Sequence, residues 1–98
     1  MPEEQVINAW KEEYGEVYVT EIGDETFYWR TITRPEYKEI VNNDKLTVFE
    51  REEVICEKCV LFPEQYDFKH CRAGVPTLLA EEIMDFSGFA LRKAPKKL

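Results

Sequence analysis

Ninety-eight residues leave room for one domain, and 44% hydrophobic with 34% charged side chains describes a folded chain, not a disordered one. Arg92, Lys93, Lys96 and Lys97 put four positive charges on residues 92–98, so residues 1–91 hold nine basic against twenty acidic side chains, a net of −11. A body that acidic repels phosphate backbones and argues against nucleic acid as a partner for anything but the tail.

No run nears the roughly 20 apolar residues of a membrane span. Met1-Pro2-Glu3-Glu4 is acidic with no apolar stretch behind it, and the cysteine count of three is odd. Neither a signal peptide nor a disulfide framework is expected, and the compartment reads as reducing and cytosol-like. Two Trp, five Tyr and six Phe supply the large side chains that a short chain needs to build a core.

Residues 3–14 predict a first helix, with Val6, Ile7, Trp10 and Tyr14 in one stripe and Gly15 as its stop. Residues 16–22 and 25–32 are rich in β-branched and aromatic side chains, and Gly23-Asp24 between them suits a two-residue hairpin turn. That turn pairs Ile22 with Glu25, Thr20 with Phe27 and Tyr18 with Trp29. One face then carries Tyr18, Thr20, Ile22, Phe27 and Trp29; the other carries Val17, Val19, Tyr28, Arg30 and Ile32. Both faces are partly apolar, so the hairpin must lean on helices or on another chain.

Thr33-Arg34-Pro35-Glu36 and Thr47-Val48-Phe49-Glu50 each have the spacing of a capping box. The first opens a short helix with Tyr37, Ile40 and Val41 on one face, ended by Asn42-Asn43. The second opens a helix expected to run to Phe62, where Pro63 stops it. After a loop over residues 63–75, Pro76 starts a last helix whose stripe is Leu79, Ile83 and Phe86. Gly88 suits its end, with Phe89 folding back as an apolar contact. The expectation is a small single α+β domain over residues 1–91, with an N-terminal helix, a β-hairpin and three helices, followed by a basic tail at 92–98.

Cys56-x-x-Cys59 with His70-Cys71 has the composition of a structural zinc site. Against that reading, the first pair lies within a helical pattern and the second is adjacent in sequence, so its side chains diverge. Core packing of the cysteines is the reading adopted, with no metal and no cofactor. No glycine-rich phosphate loop and no base–nucleophile pair emerge, so the chain is read as a binding protein and not as an enzyme. The aromatic hairpin and the turn after it supply the candidate partner contacts, Tyr18, Phe27, Trp29, Arg30 and Tyr37.

Residues 27–40, Phe-Tyr-Trp-Arg-Thr-Ile-Thr-Arg-Pro-Glu-Tyr-Lys-Glu-Ile, resemble the tail and baseplate-hub assembly chaperones of tailed bacteriophages. In those proteins a hairpin ends in an aromatic-x-aromatic-Arg segment and runs into a Thr-x-x-Glu-Tyr helix. Residues 56–63 and 73–83 are similar to later segments of the same proteins, and the likeness spans residues 25–89. The resemblance implies a non-enzymatic factor in the bacterial host cytoplasm that shields a tape-measure or tube protein during assembly. Retention in the virion and self-association are left open by it. The competing reading is a small acidic inhibitor of a host protein, motivated by the −11 body.

Overall fold

The computed structural model describes all 98 residues, as four helices and a three-stranded antiparallel sheet in a mixed α+β fold. Helix α1, Glu4–Tyr14, ends at Gly15, whose φ of +85° only glycine adopts freely and whose amide donates to the Lys11 carbonyl. Strands β1, Val17–Ile22, and β2, Glu25–Arg30, follow as the hairpin. Gly23 takes a φ of +61° at the first turn position, which sets a pairing of Tyr18 with Trp29, Thr20 with Phe27 and Ile22 with Glu25. This is the register that the Gly-Asp turn implies.

Both capping boxes form. The amide of Glu36 donates to the Thr33 hydroxyl and the Thr33 amide to the Glu36 carboxylate, opening helix α2, Arg34–Val41. Thr47 and Glu50 make the same exchange at the start of helix α3, Val48–Cys59. Each cap satisfies amides that the first helical turn leaves without acceptors, a contribution of about 1 kcal/mol.

Helix α3 does not reach Phe62. It stops at Cys59, and Val60–Phe62 turns into strand β3, which pairs antiparallel with β2. The free edge of β2 gains a partner this way, and its amides and carbonyls gain ladder bonds. Phe62 lies opposite Tyr28 and Val60 opposite Trp29, so Leu61 is the extra residue of a β-bulge. The strand order is β1-β2-β3.

Helix α4, Gly74–Met84, starts two residues before Pro76, which still falls in the first turn where no helical acceptor is lost. It runs into a π-helical turn over Asp85–Phe89, closed by the Ala90 amide on the Asp85 carbonyl at 3.3 Å. Gly88 has a φ of +113° within it, so the glycine ends the helix as expected, though through a wider turn.

The core lies between one face of the sheet and helices α2, α3 and α4. Phe27 and Trp29 from β2 meet Ile40, Ile55, Cys56, Cys59, Leu79 and Ile83. No polar or charged side chain is fully buried. A relay of two hydrogen bonds, centred on Thr20, ties β2 to β1 and β1 to α4. The Trp29 indole donates to the Thr20 hydroxyl at 2.8 Å, and that hydroxyl donates to the Glu82 carboxylate. Across the loop after β3, the Tyr66 hydroxyl donates to Glu25 at 2.6 Å while its ring meets the Phe27 ring edge to face.

The opposite face of the sheet is covered only by α1. Trp10 tilts against Tyr28 with ring centroids 6.2 Å apart, and the Arg30 guanidinium lies 5.2 Å from the centre of the Tyr14 ring. No residue of α1 is buried. No helix is long and apolar enough to cross a membrane.

Candidate protein-docking face

The five candidate contacts part into three groups. Phe27 and Trp29, at 0% and 1% exposed, lie in the core and present no surface to a partner. Their place among partner contacts is therefore corrected to a packing role. They alternate onto the hairpin face that α2, α3 and α4 cover, and burial of two large rings is what holds that face down.

Arg30 is half-buried, with both Nη atoms engaged and Nε left without a partner. Its Nη1 and Nη2 donate to the two oxygens of Glu36 at 2.7 and 2.8 Å, and Nη2 also donates to the Lys58 carbonyl at 2.8 Å. A forked pair of this kind suits the planar guanidinium. The guanidinium holds the Glu36 carboxyl down at about 2, against an ordinary 4.5. Arg30 thus ties the end of β2 to α2 and to the last turn of α3, and its expected role as a contact becomes a structural one.

Tyr18 and Tyr37 remain at the surface, and two phenylalanines join them there. The Tyr18 ring stacks on Trp29 at 4.7 Å and meets Phe86 edge to face at 5.0 Å. Its hydroxyl donates to Glu16, which pushes the phenol above its usual range. On the far side of the π-helical turn, Phe89 meets Tyr37 at 5.1 Å. Phe86 is 48% and Phe89 53% exposed, so Tyr18, Phe86, Phe89 and Tyr37 share an aromatic strip across the end of α4. Leu91 extends it.

Beside the strip runs a groove of about 240 Å³ lined by Ile32, Thr33, Arg34, Tyr37, Ser87, Gly88 and Phe89. Ser87 sets its floor: the hydroxyl donates to the Ile83 carbonyl at 2.5 Å and accepts the Ile32 amide at 3.0 Å. The end of α4 and the exit of β2 are thereby held together. Arg34 borders the groove with its guanidinium 5.9 Å from the centre of the Tyr37 ring. Phe86 fits the core stripe read from sequence only in part. Its edge reaches Trp29 at 5.9 Å, while half the ring stays in solvent. The pair of aromatics in Phe86-Ser-Gly-Phe89, flanking a glycine stop, was the available sequence sign of a surface patch.

The zinc-like set does not converge, since no three His, Cys, Asp or Glu side chains are arranged to hold a metal ion. Cys56 is buried with its thiol on the Pro76 carbonyl at 3.5 Å. Cys59 is also buried, Cys71 donates to the Phe68 carbonyl at 3.4 Å, and the exposed His70 pairs with Asp67 at 2.9 Å. Burial pushes the Cys56 and Cys59 thiols up to about 12, so neither forms the reactive thiolate near neutrality. Brief treatment of the native protein with iodoacetamide at about pH 8 should add a single label, at Cys71, with the other two labelled only after unfolding. Three labels at equal rates in the native state, read by mass spectrometry, would contradict this packing.

Comparison with protein-family models, with curated proteins and with solved structures finds no match to this chain.

Proposed function

We propose that this protein works by binding another protein through the strip of Tyr18, Phe86, Phe89 and Tyr37, as a non-enzymatic assembly chaperone or structural adaptor of a phage tail or baseplate. The observation that carries the reading is the half exposure of Phe86 and Phe89 beside a groove of mixed polarity. Aromatic side chains that remain in solvent next to a pocket are the usual anchors of an interface. The resemblance of residues 25–89 to tail assembly chaperones supplies the class of partner, a tape-measure or tube protein. Shielding an apolar stretch of such a partner requires only a complementary face, and the strip offers one.

The test is co-expression with the tail-tube and tape-measure proteins of the same genome, followed by affinity capture. The wild type should retain one of them, and Phe89→Ser should weaken retention about tenfold or more, as loss of an interface anchor does. Phe89 lies outside the core, so its removal leaves the fold intact for the comparison.

A second reading has its own observation. Glu21, Glu81, Glu82 and Asp85 line one depression between β1 and α4, on a body already at −11. Such a surface suits an inhibitor that competes with nucleic acid for a basic host protein. Capture of a basic host protein, released by salt and insensitive to Phe89→Ser, would favour it over the tail-assembly reading.

A further inference from the structure

Two surface features match each other in size and charge. The first is a knob. Phe49, in the opening turn of α3, is 71% exposed and lies beside the exposed Val48, and neither belongs to the core or to its margin. Along the same stretch of chain Asp44, Glu50, Glu52 and Glu53 outnumber Lys45 and Arg51, with Lys69 reaching Glu50 from the loop after β3. The second is the groove of Ile32, Tyr37 and Phe89. Its volume of about 240 Å³ falls below the roughly 300–1,000 Å³ of small-molecule sites and is of a size to take one large side chain.

The surroundings of the groove have the opposite sign. Arg34 lines it, Lys38 stands one turn further along the same side of α2, and Arg92 and Lys93 follow closely after Phe89. The acidic residues of α2, Glu36 and Glu39, are paired with Arg30 and Lys58, so Arg34 and Lys38 are its free charges.

We propose that Phe49 of one copy seats in the Ile32, Tyr37 and Phe89 groove of a second copy, its neighbouring carboxylates facing Arg34, Lys38 and the basic tail. An aromatic anchor in a pocket with complementary charge around it is the common form of a specific contact. The two patches are different, so the contact is head to tail and each pair keeps one free knob and one free groove. Association therefore continues into rings or open chains. Tyr37 and Phe89 also belong to the proposed docking face, so this contact rests on that face being accessible and a client would compete for it.

Sedimentation over a range of concentrations tests it. The average mass of the wild type should rise with concentration, and less steeply in high salt. Phe49→Ser and Arg34→Glu should each weaken association at least about tenfold. Both positions are exposed, and Arg34 is the first residue of α2, where an acidic side chain suits the helix dipole. Mixing the two variants restores one sound contact, the Arg34→Glu chain's Phe49 in the Phe49→Ser chain's groove, and should yield a one-to-one dimer and nothing larger. A wild type that stays monomeric throughout, or a Phe49→Ser variant that associates like the wild type, overturns the proposal. The affinity capture described above separates this from the tail-assembly reading. If Phe49→Ser stays monomeric yet still retains the tail protein, both hold; if association behaves as stated and nothing is captured, only the tail-assembly reading fails.

Discussion

Trp29→Ala should cost the fold about 3–5 kcal/mol, measured as a lower urea midpoint with an unchanged slope. The ring is one of the largest fully buried side chains, stacked on Tyr18 and set nearly at right angles to Phe86. Its removal leaves a cavity between the hairpin and α4 and takes the indole donor from Thr20. Against a total stability of order 5–15 kcal/mol, such a loss leaves a marginal protein. Trp29→Phe keeps most of the ring and should cost less, with about 1 kcal/mol from the lost hydrogen bond. A loss below roughly 1 kcal/mol for the alanine variant would mean that this ring does not hold the sheet on the helices.

The second large effect is expected at Arg30. Arg30→Ala should destabilise by about 2–4 kcal/mol, less than a fully buried pair because water still reaches both groups. It strands the Glu36 carboxylate and the Lys58 carbonyl together, and so loosens α2 and the end of α3 from the sheet. The same pair gives an acid dependence. The folded-state value of Glu36, about 2, lies below the ordinary 4.5, so its contribution is present above about pH 4.5 and is lost as pH falls toward 2. With solvent screening allowed for, that contribution is about 1–2 kcal/mol. Glu36→Gln should flatten this part of the stability profile between those pH values. A profile as steep as that of the wild type would show that other carboxylates carry the acid sensitivity.

Local chemistry made much of this fold readable in the sequence. Gly23-Asp24 admits only a narrow choice of hairpin turn, and the turn sets the pairing of every residue in β1 and β2. Thr33 with Glu36 and Thr47 with Glu50 placed two helix starts, because a capping box is a contact between residues three apart. Strand β3 was not readable in the same way. Val60 and Phe62 continue the helical spacing of Ile55 and Cys59, and a short apolar run fits either period. What decides is the open edge of β2, a partner some thirty residues earlier in the chain. The docking face divides along the same line. Alternation placed Tyr18, Phe27 and Trp29 together correctly, yet which of them stay at the surface depends on how α4 lies across them. The exposure of Phe86 and Phe89 follows from the π-helical turn, which a helical stripe does not anticipate.

Helix α1 adds no residue to the core, and this divides the molecule into two tiers of stability. Eleven residues are too few to stay helical alone in water. For α1, then, leaving the sheet and melting are one event, opposed mainly by the contacts of Trp10 and Tyr14. That event is a sub-global opening, well below the free energy needed to separate β2 from α3 and α4. It uncovers Tyr28, whose ring also meets Phe62, and joins it to the already exposed Val19 as a second apolar surface on the opposite side of the sheet from the strip. The protein can therefore expose a fresh apolar face while its core stays shut.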